Sequence, residues 1–225
     1  MSASAAATLF WSSRSRVFDL DGTLVDTLPD LHAALNLALQ DLQLPAVDRH
    51  LVQASLHEGL EGSARAALLK LRAPVDWRPL LLERYELHYK QVSGTYAMPY
   101  PGVHGLLDRL VQIGERPAVC TNKSEARAIE LLARLGLIDA IVTVVGADTC
   151  SHRKPHPEPL LHALTALRAE PEASVLIGDS SLDVQCAAAA QVPCIFFASG
   201  YGTLDHAPQG PVRFSDYREL LDHTA

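Results

Sequence analysis

The decapeptide VFDLDGTLVD, residues 17–26, places two carboxylates, Asp19 and Asp21, where a short apolar run ends. The run Val17–Leu20 is typical of a buried strand, and Gly22 favours a turn directly after it. Burying a carboxylate is costly unless its charge is paired or bound to a metal, so acids in this position need a chemical reason. Because ligands of open α/β sheets bind at the carboxyl ends of strands, we expect both acids to face a crevice.

Further short apolar segments follow and alternate with helix-like stretches, which predicts a parallel sheet covered by helices on both faces. These segments are Ala118–Cys120, Ile141–Val145, Val175–Ile177 and Cys194–Phe197. One intervening helix is well marked, since Ser124 is a suitable N-cap and Gly136 a fitting stop. The predicted fold class is therefore α/β, with a doubly wound, Rossmann-like parallel sheet.

The chain between the first two predicted strands is far longer than a single crossover requires, which indicates an insertion. Amphipathic helical patterns recur within it, at Leu31–Leu42, Ser63–Leu71 and Leu80–Gln91. We interpret residues 31–96 as an all-helical cap subdomain. Residues 16–30 and 97–225 would then form the α/β core domain.

Composition excludes several classes of partner. The formal net charge is -7, with 26 acidic side chains against 19 Lys and Arg, so nucleic acid and anionic membranes are not expected partners.

The four cysteines form no CxxC pair, and reduced thiols in the cytoplasm are the expectation. Residues 1–15 are rich in Ala and Ser and carry no acid, so we predict a disordered tail there. The oligomeric state stays open.

Three later segments carry polar groups at predicted strand ends or in adjacent loops. The sequence AVCTNK puts Thr121 and Asn122 between a strand and a helix N-terminus, which suits a phosphate. In KPHPEP, prolines restrict the backbone around Lys154 and could aim its ammonium at an anion. In IGDSSLD, Asp179 and Asp183 flank the start of a helix. Each segment is a weak signal by itself, because such residues are also ordinary caps and loop residues.

In this order, the four segments resemble the four motifs of the haloacid dehalogenase superfamily, from Val17 to about Gly202. The insertion after the first motif matches the helical-cap subclass of that family. Dehalogenases lack an acid at the position of Asp21, so the resemblance implies a phosphatase acting on a small phosphate ester. The alternatives are a phosphosugar mutase and a catalytically silent binding or regulatory protein that keeps the fold.

The resemblance also implies a role for each motif residue. Asp19 would be the nucleophile that forms an aspartyl phosphate, and Asp21 would be the general acid and base. A magnesium ion, Mg2+, would be held by the carboxylates of Asp19 and Asp179 and by the backbone carbonyl of Asp21. The other members bind phosphate or support the metal: Thr121, Asn122 and Lys154 contact the phosphate, and Asp183 acts through the metal's water shell.

Within the helical-cap subclass, the segments MPYPGV, CTNK, VGAD, KPHP and GYG resemble those of phosphoglycolate phosphatases. The cap departs from that pattern, since EGLEGSAR stands where those enzymes usually carry a short Gly-x-Gly turn. Arg65 is the nearest cation for a substrate carboxylate, and Glu61 would oppose it. Gly62–Arg65 also resembles phosphatases of sugar-acid phosphates such as N-acetylmuramate 6-phosphate. The substrate therefore stays open among small phosphate esters.

Two histidines flank the lysine of the third motif. His152 and His156 are four residues apart, a spacing that on a helix would present both to one metal ion. Pro155 between them argues against such a helix. We therefore interpret them as ordinary loop histidines.

Overall fold

The computed structural model describes residues 3–204 and 210–222 and divides the chain into two compact units. One unit comprises Met1–Asp26 and Pro99–Ala225, and the other is Thr27–Met98. The strands of the described part are β1 (Ser15–Phe18), β2 (Val25–Asp26), β3 (Met98–Pro99), β4 (Ala118–Cys120), β5 (Val144–Val145), β6 (Ser174–Gly178), β7 (Cys194–Phe197) and β8 (Val212–Phe214). The helices are α1 (Ala3–Ser12), α2 (Leu28–Asp41), α3 (Arg49–Ser55), α4 (Gly59–Leu71), α5 (Arg78–Val92), α6 (Val103–Gln112), α7 (Glu125–Arg134), α8 (Glu158–Leu167), α9 (Ser181–Ala189) and α10 (Arg218–Leu221).

The larger unit is built on a parallel sheet with the order β5-β4-β1-β6-β7-β8 in the described residues. Counted along the chain from one to six, these strands lie in the order 3-2-1-4-5-6, which is that of the Rossmann fold. Every residue of β4, β5 and β6 is buried, as expected for parallel strands covered on both faces. The predicted α/β class with a Rossmann-like parallel sheet is confirmed.

The order of the strands reverses at β1, which has β4 on one side and β6 on the other. Phe18, the last residue of β1, lies opposite Val119 of β4 and Ile177 of β6. Residues that follow these three strands therefore meet at one edge of the sheet. Such a reversal creates a crevice at the carboxyl ends of the strands, where ligands of this fold bind.

The N-terminal segment differs from the predicted disordered tail. Residues 3–12 form α1, in which Ala6, Ala7 and Phe10 are fully or almost fully buried. The indole of Trp11 donates to the carbonyl of Leu220 at 2.6 Å, and the guanidinium of Arg16 donates to the carbonyl of Phe10 at 2.9 Å. The prediction is wrong for these residues because Phe10 adds enough buried apolar area to order a short helix against the core.

The smaller unit consists of α2 to α5, with short 3-10 turns after α3 and before α5 and an irregular segment at residues 42–48. Its core includes Tyr85 and Tyr89 of α5, and both are almost fully buried. Asp30 of α2 is also fully buried and accepts hydrogen bonds from the backbone N–H groups of Gly94, Tyr96 and Ala97, at 2.6 to 3.1 Å. One carboxylate thus ties the segment after α5 to the start of α2. Across the described part of the chain, no helix combines the length and apolar character needed to span a membrane.

Candidate active site

Three carboxylates cluster at the edge of the sheet where the strand order reverses. Asp19 follows β1, Asp179 follows β6, and Asp183 lies in the first turn of α9. One ligand oxygen from each lies within 4.8 Å of those of the other two. The residues are 8%, 3% and 0% exposed, respectively. Because burial of a carboxylate requires compensation, this cluster needs positive charge nearby.

Lys154 supplies part of that charge from the loop between β5 and α8. Its Nζ lies 2.8 Å from Oδ1 of Asp19 and 2.6 Å from Oδ1 of Asp183, and it donates to the carbonyl of Cys120 at 2.8 Å. Burial lowers the pKa of Lys154, but the attraction of Asp183 and Asp19 outweighs burial and holds this pKa well above its usual value. The ammonium is therefore charged at neutral pH.

One ammonium does not balance three carboxylates, so two negative charges are left when all four groups are ionised. Burial raises the pKa of Asp19 to about 8, against the opposing effect of Lys154. Burial, followed by the charge of Asp183, raises the pKa of Asp179 to about 6. A divalent cation between Asp19 and Asp179 would restore neutrality and keep both ionised. The all-oxygen donor set fits a hard cation such as Mg2+.

Asp179 is held by two loops that the sequence interpretation did not connect with it. Its Oδ1 accepts a hydrogen bond from the hydroxyl of Thr23 at 3.0 Å. Its Oδ2 accepts from the backbone N–H groups of Tyr201 and Gly202, at 2.7 and 3.0 Å. Gly22 has φ +84°, and a Cβ there would lie 2.5 Å from Oδ2 of Asp179. The GYG segment thus has a physical role, which is to orient this carboxylate.

Asp21 is paired with Lys123, a residue to which the sequence alone assigned no role. Nζ of Lys123 lies 2.8 and 2.9 Å from the two carboxylate oxygens of Asp21. Lys123 belongs to the loop after β4, and β4 is the direct neighbour of β1 in the sheet. The side chain of Asp21 is 19% exposed, so water can reach it. The pair fixes the orientation of a carboxylate that is partly open to solvent.

Asp183 takes part in both the helix cap and the charge cluster. Its Oδ2 accepts hydrogen bonds from the backbone N–H and the hydroxyl of Ser180, at 3.1 and 2.5 Å, which forms a capping box at the start of α9. Its Oδ1 is the oxygen that pairs with Lys154. The direct partners of Asp183 are thus a serine and a lysine, and both of its oxygens are engaged.

Thr121 and Asn122 follow β4 and complete the set of predicted phosphate contacts. Thr121 is 3% exposed, and its hydroxyl oxygen accepts from the backbone N–H of Lys123 at 3.2 Å. The side-chain amide of Asn122 donates to the carbonyl of Lys154 at 3.0 Å. Among the described residues, Oδ1 of Asn122 is buried with no hydrogen-bond partner. Asn122 therefore holds the loop that carries Lys154.

Glu61 and Arg65 lie on α4 in the smaller unit, and both are paired with other side chains. The guanidinium of Arg65 donates to both carboxylate oxygens of Glu58 at 2.7 Å. A nitrogen of Arg78 lies 3.6 Å from Glu61. These side chains are 42% to 62% exposed, so the pairs stabilise the fold little and exchange partners readily.

Comparisons with known proteins agree with this architecture. The family model for the haloacid dehalogenase-like hydrolases matches residues 16–197. A phosphoglycolate phosphatase from Rhodospirillum rubrum is 38% identical over 219 residues, which cover 92% of this chain and 88% of that protein. A plasmid-encoded phosphoglycolate phosphatase from Cupriavidus necator is 36% identical over 207 residues, with 91% and 87% of the two chains covered.

A solved structure of similar fold is described as a predicted phosphoglycolate phosphatase from Haemophilus somnus. It superposes with a TM-score of 0.85 at 25% identity and covers 93% of this chain and 97% of its own. The family match includes the residues of all four predicted motifs, from Asp19 to Asp183. With its Rossmann-like sheet, its carboxylate cluster and these relatives, the chain belongs to the family of haloacid dehalogenase-like hydrolases.

Proposed function

We propose that this protein is a Mg2+-dependent phosphatase that hydrolyses a small phosphate monoester through an aspartyl phosphate on Asp19. The observation that carries the proposal is the buried Asp19 carboxylate, which contacts Lys154 at 2.8 Å and lies within 4.8 Å of the Asp179 carboxylate, where the strand order reverses. Lys154 together with a divalent cation would keep this carboxylate ionised, beside groups that can bind phosphate oxygens. These are the requirements for a nucleophile in phosphoryl transfer.

The reaction has two displacements at phosphorus. An oxygen of Asp19 attacks phosphorus, the ester P–O bond breaks, and the leaving alkoxide takes a proton from Asp21. Asp21 then removes a proton from water, whose oxygen attacks phosphorus and displaces the Asp19 carboxylate, so inorganic phosphate is released. Lys123 orients Asp21 for both proton transfers through its ion pair.

The remaining residues neutralise charge. Lys154 and Thr121 would meet the phosphate oxygens, and Asn122 would keep Lys154 in place through the hydrogen bond to its carbonyl. Mg2+ would be held by Asp19, Asp179 and the Asp21 carbonyl, and it would offset the repulsion between the nucleophile and the phosphate dianion. In this proposal, Asp183 supports the metal indirectly, since its direct ion pair is with Lys154.

The first candidate substrate is 2-phosphoglycolate, because the relatives from Rhodospirillum rubrum and Cupriavidus necator carry the name phosphoglycolate phosphatase. Its carboxylate would replace Glu58 as the partner of Arg65. A sugar or sugar-acid phosphate is the second candidate, because the exposed carboxylate of Glu61 can accept hydrogen bonds from hydroxyl groups. A phosphosugar mutase and a silent binding protein are the alternatives that turnover would test.

The deciding experiment is kcat/KM with Mg2+ for 2-phosphoglycolate, several sugar phosphates and p-nitrophenyl phosphate. We expect 2-phosphoglycolate to rank first and Glu61→Gln to raise its kcat/KM relative to that of the sugar phosphates, whereas Glu83→Gln, on an exposed acid of α5, should not. Equal kcat/KM values for all esters in the wild type, unchanged in both variants, would contradict the substrate assignment. No hydrolysis of any ester would contradict the phosphatase itself.

We also infer a cytoplasmic location. All four cysteines, Cys120, Cys150, Cys186 and Cys194, are free thiols, which suits a reducing compartment. The net charge of -7 gives no electrostatic basis for nucleic acid as a partner.

A further inference from the structure

A second group of metal-binding side chains lies outside the carboxylate cluster, in the turn that carries Lys154. His152, His156 and Glu158 each offer one ligand atom, and these atoms lie within 4.8 Å of one another. Both histidines are exposed and Glu158 is partly exposed, so the group can be reached from solvent. The mechanism above uses none of the three.

Hydrogen bonds within the turn hold the three residues together. Nδ1 of His152 lies 2.8 Å from Oε2 of Glu158, and the same oxygen accepts from the backbone N–H of His152 at 3.0 Å. The backbone N–H of Glu158 donates to Nδ1 of His156 at 3.2 Å. The two imidazole rings stack with their centroids 4.0 Å apart and their planes at 19°. Glu158 thus positions both histidines.

The turn achieves this without a helix. The backbone N–H of His156 donates to the carbonyl of Arg153 at 3.0 Å, which reverses the chain just before α8 begins at Glu158. Pro155 does exclude a helix through both histidines, but the reversal brings the rings together by another route. The turn therefore brings the two histidine side chains together, as one turn of a helix would have done.

The chemistry of this group differs from that of the carboxylate cluster. Two imidazoles and one carboxylate form a nitrogen-rich set of the kind that binds zinc, with a fourth position open to water. The hydrogen bond from His152 lowers the pKa of Glu158, so this ligand is ionised. Residues around it, including both histidines and Arg153, line an open surface cleft of about 690 Å³, which leaves room for a hydrated ion.

The distances require only a small adjustment. Zinc bonds of about 2.0–2.1 Å in tetrahedral geometry place neighbouring ligand atoms roughly 3.3 Å apart. The 2.8 Å between His152 and Glu158 would open by about half an ångström, which rotation of exposed side chains can supply. Ligand atoms at the 4.8 Å limit would have to close by about 1.5 Å, which a change of rotamer in the exposed histidine side chains can supply.

We propose that His152, His156 and Glu158 form a binding site for a divalent transition-metal ion of the zinc class, separate from the magnesium site. The two sites differ in metal selectivity, because imidazole nitrogens favour zinc and carboxylate oxygens favour magnesium. Since Lys154 lies between the two histidines in sequence, an ion bound here crosslinks the turn that carries it.

Zinc titration of the full-length protein, by calorimetry in excess Mg2+, tests the site. We expect His152→Gln and His156→Gln each to weaken zinc binding by about 10-fold or more, and Glu158→Gln to weaken it as well. His104→Gln is the matched control, since His104 is an exposed histidine on α6, and it should bind zinc like the wild type. Because all four side chains are at the surface, thermal unfolding should show every variant folded.

Crystals soaked in ZnCl2 then locate the ion by its anomalous scattering. An anomalous peak between His152, His156 and Glu158 in the wild type, absent in His156→Gln, is the expected result. The proposal is overturned by identical zinc isotherms in the wild type and the two histidine variants. It is equally overturned by a zinc peak at Asp19 and Asp179 with none at the histidines, since zinc would then only replace magnesium.

Discussion

Replacing Lys154 by Met tests how much of the stability of the core depends on one buried ammonium. The side chain is 3% exposed and forms ion pairs of 2.8 and 2.6 Å with Asp19 and Asp183. Met fills similar space but leaves these two carboxylates without a cation. Removing one partner of a buried ion pair costs about 3–5 kcal/mol, and we expect the free energy of unfolding to fall by that amount.

The assay is urea unfolding in the presence of a chelator, with the midpoint compared at unchanged slope. Lys123→Met is the matched control, because its partner Asp21 is 19% exposed and water can solvate the carboxylate that is left. That variant should lose less than Lys154→Met, because water can solvate the one carboxylate that it leaves without a cation. Both variants should lose activity. A stability loss below about 1 kcal/mol for Lys154→Met, or equal losses in the two variants, would refute the reasoning.

Four further predictions concern catalysis and folding. Asp19→Asn keeps the shape of the side chain but removes the attacking charge, so turnover should fall to background with an unchanged circular dichroism spectrum; wild-type rates would rule out covalent catalysis at this residue. Excess chelator should abolish ester hydrolysis, with Mg2+ restoring it and the larger Ca2+ restoring it poorly; turnover that persists in chelator would contradict the metal assignment. Phe10→Ala should cost about 3–5 kcal/mol in thermal unfolding, because the ring is fully buried, and a loss under about 1 kcal/mol would mean that α1 adds nothing to the core. Asp30→Ala leaves three backbone N–H groups without their acceptor and should cost about 3 kcal/mol in urea unfolding; an unchanged midpoint would show that water replaces the carboxylate.

The sheet could be predicted because strands buried on both faces leave continuous apolar runs in the sequence. Ala118–Cys120 and Cys194–Phe197 are strands with the predicted bounds. β8 was missed, since its three residues include the exposed Arg213 and form no apolar run. An edge strand needs only one buried face, so its pattern is too short to recognise. α1 was missed because its burial depends on contacts with residues far away in sequence, such as Leu220.

The acids of the site could be predicted because Asp19 and Asp179 directly follow recognisable strands and Asp183 lies in the first turn of the helix after one of them. Their partners could not, because a pair such as Lys123 and Asp21 depends on which strands are neighbours in the sheet. The same holds for the amides of residues 201 and 202 at Asp179, which come from a distant loop. For His152 and His156, the sequence correctly excluded a helix through both residues. Their side chains are nevertheless in contact, because a turn brings the two rings together.

The double engagement of Asp183 also constrains how this protein can evolve. Its carboxylate closes the first turn of α9 and holds Lys154, so its loss would weaken the scaffold together with the chemistry. Loss of Asp19 leaves Lys154 with an anionic partner and the helix with its cap. A lineage under relaxed selection for turnover can therefore discard Asp19 while still folding, whereas purifying selection for stability continues to act on Asp183. Inactive descendants of this protein are expected to retain Asp183 and to have lost Asp19.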